Sequence, residues 1–467
     1  MRTTATILAV FVASGCSFTT AGSFEECTSS EQCGDGLICD QGYCVVNPIP
    51  EGCGRVHGRA DAPNVIQLGL TFPLVVNGVT DETEVDSLES ILLALQEINE
   101  REGVGGRPFA LHVCDTIGST DRIKAQADWL IKERGVQAIF SSWSSLTLAV
   151  APVTTANNTL VISPNATTPE LSSVPDTNGG SVGLIWRTAP SDAIQGRVIT
   201  DILLKETTFS TVKKVGILYV DDPYGQGLNE VMFAGLARDT TRGIQTKQIR
   251  YPRGGDITTP LAQLDAFDPD LTVLVAFPED TVRILNAAQS TTHLRKVDGH
   301  RWFFTDSVKN NAVLQGVSAK AEIDGAWGTA PAQGAGISFS QFQASFESKF
   351  GSDPSLTAFT AHSYDAMYVL ALGAAWAVGD GSGEVTGPRI AEGLTKLSSG
   401  THYELSPGQF TAAKAALQKG GPVNVAGASG DLDFDPVTGE APSPIEVWTI
   451  DGNAFKTREA ARKPPVN

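Results

Sequence analysis

Residues 215–227 read Val215-Gly-Ile-Leu-Tyr-Val-Asp-Asp-Pro-Tyr-Gly-Gln-Gly227, with Lys214 before them and a helical pattern running on to Arg238. Up to Val220 the run is apolar and rich in β-branched and aromatic side chains, which suits a buried strand. Asp221-Asp222-Pro223 supplies turn chemistry, and a helix is expected over 225–238. Strand, tight turn and helix in that order make half of a parallel crossover unit. The same alternation recurs on both sides. Upstream, strands are predicted at 65–71, 109–115, 137–140 and 160–163, with helices at 83–101, 121–134 and 145–157. The first of these helices carries Leu88, Ile91, Leu92, Leu95 and Ile98 at helical spacing. A second series has strands at 214–220, 244–250, 271–277, 302–305 and 325–329, and helices at 192–206, 225–238, 259–266 and 279–292. The pattern then turns helical (338–351, 360–377, 387–397, 407–420) and closes with 431–434 and a strand at 445–450. Two α/β series followed by a helix-rich return predict a chain that crosses back to finish its first lobe.

Length agrees with two lobes, since one core rarely grows past about 250–300 residues and this chain has 467. Hydrophobic content of 41% and charged content of 18% are those of a globular protein. The net charge of −18 argues against nucleic-acid binding, which needs a basic footprint, and favours a soluble monomer.

The N-terminus reads as an export signal over 1–15. Met1-Arg2 gives a positive charge, an apolar stretch follows to Val12, and Ala13-Ser14-Gly15 precedes Cys16. A cysteine directly after small residues is similar to a bacterial lipobox, in which that cysteine is acylated, although Ala13 stands where leucine is usual. An ordinary cleaved secretory signal is the alternative. The apolar stretch is too short to span a bilayer, and no later stretch reaches about 18 uninterrupted apolar residues. Removing Cys16 leaves six cysteines, an even number that suits an oxidising compartment. Cys27, Cys33, Cys39 and Cys44 fall so close together that no hydrophobic core can form around them, so a disulfide-stapled knot is expected. A zinc site is the rival reading, but it prefers paired C-x2-C spacings that are absent here. Cys53 and Cys114 would then form a third pair. Residues 16–63 are accordingly read as knot plus Pro/Gly-rich tether.

Five segments in order resemble the type I periplasmic binding proteins of the leucine/isoleucine/valine-binding group, the receptors of branched-chain amino-acid ABC transporters. They are Ala94-Leu-Gln-Glu-Ile-Asn-Glu100, Leu160-Val-Ile-Ser-Pro-Asn-Ala-Thr-Thr-Pro-Glu-Leu171, Thr188-Ala-Pro-Ser-Asp-Ala-Ile-Gln-Gly-Arg197 with the 215–227 stretch, His362-Ser-Tyr-Asp-Ala366 and Gly427-Ala-Ser-Gly-Asp-Leu-Asp-Phe-Asp435. The resemblance covers roughly 64–455. It implies two Rossmann-like lobes with parallel sheets and a hinge of three crossovers. Lobe one would be 64–190 plus 332–442, and lobe two 191–331 plus 443–467. A ligand would sit between them at the carboxyl ends of the strands, and hinge closure would be the working motion.

The resemblance also nominates residues. An amino-acid-like ligand needs N–H and hydroxyl donors for its carboxylate, and acceptors, one of them charged, for its ammonium. Ser144, with Ser145 beside it, matches the family's carboxylate-holding serine; either also suits a helix cap. Thr167 matches a second ligand position, and Asn165 stands where the family often has a small residue; both also suit a turn. Tyr224 matches a tyrosine facing the cleft from lobe two. Asp306 matches the acid that pairs with the ammonium, and would also serve as a helix N-cap. Two family aromatics have no direct match: Ala276, beside Phe277, replaces a lobe-two tyrosine, and Phe72 is the one candidate for an early-loop aromatic.

Enzyme motifs are lacking. His57, His112, His293, His300, His362 and His402 show no metal-ligand spacing, and there is no G-x-S-x-G elbow or P-loop. Asp431-x-Asp433-x-Asp435 starts like a calcium loop, but Pro436 stands where glycine is required and Pro442 where glutamate is required. No cofactor or metal is expected. The expected function is therefore an exported, lipid-anchored receptor that captures a small polar solute, an amino acid or amide-like compound, and delivers it to an ABC permease. A sensory receptor of the same fold and a surface protein acting through the cysteine knot are the alternatives.

Overall fold

A computed structural model describes residues 26–465 except 30–31, 34–36, 41, 47–48 and 380–382. Cys16 and the expected signal segment 1–15 lie outside the described residues. The chain falls into two compact units, one up to Glu51 and one from Gly52 onward.

In the first unit, Leu37–Asp40 and Tyr43–Val46 form an antiparallel hairpin turned at Gly42, whose φ of +88° is free of strain only without a Cβ. Disulfides join Cys27 to Cys39 and Cys33 to Cys44, crossing within the hairpin segment. The sulfurs of Cys27, Cys33 and Cys44 lie within 4.8 Å of one another, but each is bound in a disulfide and offers no thiolate.

The second unit holds two large sheets, besides a small three-stranded sheet (Thr401–Glu404, Val423–Gly427, Gly430–Asp431) and a short hairpin (Val75–Val76 with Val79–Thr80). The first runs Ile185–Arg187, Leu160–Ser163, Ala138–Ser141, Ile66–Phe72, Phe109–Asp115, Arg55–Gly58 in spatial order, parallel throughout except for the last strand. The second runs Gln245–Tyr251, Lys214–Val220, Leu271–Val275, Arg301–Phe304, Trp327–Pro331, with an antiparallel hairpin Ile445–Asp451 and Ala454–Arg462 added at one edge. Sheet membership changes after Arg187, after Pro331 and before Ile445, so three strands of chain link the two lobes. Two of them are stitched together where Ala332 N–H donates to Pro444 O at 3.0 Å.

The helix-rich return packs on the first sheet, and one apolar cluster runs from Ile66 through Phe346 and Phe410 to Ala441. Its centre is the helix Thr360–Gly379, buried on nearly every face. The Tyr364 and Tyr368 hydroxyls donate to Glu97 at 2.6 and 2.8 Å, which satisfies a buried acid in the core. Asp365 on the same helix accepts from Ala428 N–H, Ser429 N–H and the Ser429 hydroxyl, pinning the 427–435 segment. Asp435 in turn accepts Val437 N–H at 2.8 Å, so this acidic run is turn chemistry.

Several elements differ from expectation, among them the paired strands Thr401–Glu404 and Val423–Gly427, where no strand was predicted. Arg55–Gly58, read as tether, pairs antiparallel with Phe109–Asp115, and the Cys53–Cys114 disulfide fastens the same stretch to that strand. Ile185–Arg187 is a three-residue buried strand that periodicity could not signal. Ala454–Arg462 is exposed and polar, and an Asp451-Gly452 turn with Gly452 at φ +63° folds it back on its partner.

Candidate functional site

Loops at the carboxyl ends of both sheets converge on one cavity between the lobes. From lobe one come Trp143 and Ser144 after the strand Ala138–Ser141, Asn165 after Leu160–Ser163, the start of the helix Glu82–Asn99 (Asp81, Thr83, Glu84), and Phe359 before the helix Thr360–Gly379. From lobe two come Tyr224, Phe277, Asp306, Ser307 and Lys309. The centre of a water molecule has about 30 Å³ to move in there, room for about two waters. A solute of several non-hydrogen atoms therefore enters only if the lobes part.

Two aromatics at this cavity sit on unusual backbone. Trp143 has φ +53° and Phe359 φ +72°, where a Cβ is strained. Each costs on the order of 1–3 kcal/mol and persists because the surroundings over-determine it. For Trp143 the restraint is visible, since its N–H donates to Asn165 Oδ1 at 3.0 Å. Across the cleft its ring meets Phe277, with centroids 5.0 Å apart. The Arg253 guanidinium lies 3.6 Å from both ring centroids and pairs with Glu279 at 2.7 Å.

Asn165 belongs to a buried network. Its Nδ2 donates to Glu84 Oε1 at 3.1 Å, and Ser142 Oγ donates to Glu84 Oε2 at 2.5 Å. Glu84 is 1% exposed, and burial, with Asp81 close by, pushes its carboxyl up to about 8. Burial likewise raises Asp81 to about 6. The loop holding Asn165 is fixed by Arg187, which is buried, donates to Ala166 O and Thr168 O at 3.1 and 2.8 Å, and pairs with Glu440.

On the lobe-two side, Asp306 Oδ1 accepts from Tyr224 Oη at 2.9 Å and Gln195 Nε2 at 3.0 Å. Burial pushes the Asp306 carboxyl up to about 6. Asp192, at the start of the helix Asp192–Lys205, is completely buried. Neither of its carboxylate oxygens has a hydrogen bond of ordinary length, nor does the Thr167 hydroxyl. Burial first and Asp306 second hold the Asp192 carboxyl well above the usual range; the Thr167 hydroxyl pulls the other way. The chemistry divides by side. The helix Ser144–Ala156 opens with no side-chain cap, so its first N–H groups suit an anion. Asp306 and Asp192 suit a cation.

The periplasmic binding protein family model matches residues 65–449. This chain belongs to that family. Its fold is the type I fold of the leucine/isoleucine/valine-receptor group, whose members are binding proteins rather than enzymes. BasB of Halobacterium salinarum, a chemotactic signal transduction system substrate-binding protein, is 23% identical over 80% of this chain and 85% of its own. The leucine-binding protein LivK of Thermotoga maritima shares the fold with a TM-score of 0.68 at 19% identity, covering 85% of this chain and 99% of its own. LivJ of Streptococcus pneumoniae, solved with isoleucine, gives 0.67 at 18% identity, covering 86% and 100%.

Of the residues nominated from sequence, Ser144, Asn165, Tyr224 and Asp306 line the cavity of this binding protein. Ser144 Oγ accepts Thr168 N–H at 3.2 Å, which leaves its hydrogen free to donate. Thr167 lies behind the lining: its carbonyl accepts Asp192 N–H at 2.8 Å. Ser145 is half-buried and is not a lining residue. Phe72 is buried in the lobe-one core and does not reach the cavity; Trp143 supplies the aromatic there. Phe277 takes the lobe-two aromatic place beside fully buried Ala276. The sequence reading missed Glu84, Trp143, Asp192 and Arg253. His362 is buried with neither ring nitrogen hydrogen-bonded, and among the described residues it belongs to no group of three or more metal-ligating side chains. No helix among the described residues is long and apolar enough to cross a membrane.

Proposed function

We propose that the protein captures a small polar solute carrying an ammonium group, an amino acid or close analogue, by closing its lobes, and delivers it to an ABC permease. The observation that carries this reading is the pair Asp306 and Asp192. Both carboxyls are buried; Asp306 lines the cavity, and Asp192 lies behind it close enough to be perturbed by its charge, with no hydrogen bond of ordinary length. A solute ammonium supplies the missing partner and the missing charge. Opposite them, the uncapped helix start at Ser144 supports a carboxylate. LivJ holds isoleucine, which agrees with the ligand class.

On this reading Ser144 holds the carboxylate, Asp306 holds the ammonium with Asp192 behind it, and Tyr224 covers the ligand while orienting Asp306. Asn165 acts through Glu84 and Trp143. The exported chain acts as a monomer held to the membrane by acylated Cys16. A thermal-shift screen of the mature chain against amino acids, amides, polyols and aromatic acids tests the ligand class; stabilisation by polyols alone refutes it.

BasB, named for chemotactic signalling, favours a second reading in which the loaded form reports to a membrane receptor. A deletion strain separates the two. Lost uptake of the labelled ligand supports delivery; lost chemotaxis towards it with uptake intact supports sensing.

A further inference from the structure

The lobe-one side of the cavity carries two carboxyls, Glu84 and Asp81, beyond the one on lobe two that would meet an α-ammonium. Glu84 lines the cavity, and its oxygens are met by uncharged groups of Ser142, Trp143 and Asn165. Asp81 lines the same wall three residues earlier. Among the described residues neither acid has a basic partner within ion-pair distance. The bases nearby are committed elsewhere: Lys309 to Glu446 at 2.6 Å, and Arg253 to Glu279. An apolar side chain such as that of leucine would leave these carboxyls facing hydrocarbon, the arrangement buried polar groups avoid.

A second observation points to the same chemistry. The faces of Trp143 and Phe277 already clamp a guanidinium, that of Arg253, between the two lobes. Such faces attract cations through the ring quadrupole. The wall beside Glu84 is thus both acidic and aromatic, and Trp143 is bound to the same Asn165 that donates to Glu84.

We infer that the solute is dibasic: besides its α-ammonium it carries a distal ammonium or guanidinium that meets the Glu84 carboxyl, with Asp81 close by. This rests on the amino-acid reading and names the side-chain class within it. Asp306, with Asp192 behind it, takes the first cation, Ser144 the carboxylate, and Glu84 the second cation. A cation brought against Glu84 favours its ionised form, so binding releases protons from the raised carboxyls of the cleft.

The experiment is calorimetric titration of the mature chain with L-arginine, L-lysine, L-citrulline, L-glutamine and L-leucine. Arginine or lysine is expected to bind at least tenfold tighter than the neutral three. Citrulline matches arginine in shape without its charge, so that comparison needs no variant. Heats measured in two buffers of different ionisation enthalpy should report proton release for the basic ligand. Glu84→Gln should weaken arginine or lysine binding at least tenfold; binding unchanged by Glu84→Gln overturns the inference. So does tight binding of leucine, glutamine or citrulline with arginine and lysine weak, which leaves the amino-acid reading standing. No binding by any of the five overturns both.

Discussion

The Arg253 guanidinium lies 3.6 Å from the ring centroid of Trp143, a contact made by a lobe-two side chain on a lobe-one ring. The lobes also touch at the cavity through ring contact of Trp143 with Phe277 and through Asn310 Nδ2, which donates to Thr83 Oγ1 at 2.8 Å. A partly desolvated cation–π contact contributes about 1–2 kcal/mol. Arg253→Ala should therefore shift the lobes towards the open form and weaken ligand binding by roughly tenfold. Small-angle scattering should show a larger radius of gyration for the ligand-free variant. Equal radii and equal affinities would show that the clamp has no part in closure.

On the proposed reading Asp306 is the group that meets the ligand ammonium. A ligand at about 100 times its dissociation constant stabilises the folded form by about 2.7 kcal/mol. Asp306→Ala should abolish that rise in melting temperature for every amino acid that stabilises the wild type. A retained shift would move the ammonium site elsewhere.

The raised carboxyls make stability depend on pH. Glu84 near 8, with Asp81, Asp222 and Asp306 near 6, hold protons in the fold that the unfolded chain has released above its ordinary carboxylate values of 3.8 to 4.5. Where the folded form binds more protons, stability falls as pH rises. The ligand-free protein should therefore lose stability from about pH 5 to pH 8, with a slope of up to about 1.4 kcal/mol per pH unit for each proton. Glu84 contributes to the loss between pH 6 and 8, as does Asp192, which burial also holds well above the usual range, so Glu84→Gln should reduce the slope there by the share of one proton. A flat wild-type profile over this range contradicts the buried, uncompensated state of these groups.

The Cys53–Cys114 bond closes a loop with a sequence separation of 61. On the chain-entropy account such a loop is worth about 4 kcal/mol. Replacing both cysteines by serine should lower the unfolding midpoint in non-reducing buffer, and reducing agent should lower it further in the wild type than in the variant, which keeps only Cys27–Cys39 and Cys33–Cys44.

For the proposed anchor, Cys16→Ser should move the protein from the detergent phase to the aqueous phase in a partition assay. An unchanged partition would favour an ordinary cleaved signal.

Much of the architecture is legible in sequence because burial and periodicity coincide. Phe109–Asp115, Leu160–Ser163 and Lys214–Val220 are continuous apolar runs that cover sheets on both faces. The site was legible where a motif carried it, as with Tyr224 and Asp306. Glu84 left a signal that went unused: it stands four residues before Leu88 and seven before Ile91, on the apolar stripe of its helix. An acid on a buried stripe marks a partnered or functional group. Arg253 left none, because its meaning comes from two rings brought together by loops that begin 110 and 24 residues away. Arg55–Gly58 was missed because an edge strand with three of four residues exposed has no apolar pattern to read.

That edge strand sets how the body bears load. Chain entering at Gly52 is caught at once by the Asp115 N–H bond to Gly52 O, by the Cys53–Cys114 bond and by pairing of Arg55–Gly58 with the strand Phe109–Asp115. All three attachments lie in lobe one. A pull arriving along the chain from its N-terminal side is shared across that sheet and never crosses the three linking strands. On the proposed closure, lobe one would be the stator and lobe two the rotor, and the swing of the cleft would be mechanically decoupled from whatever holds the N-terminus.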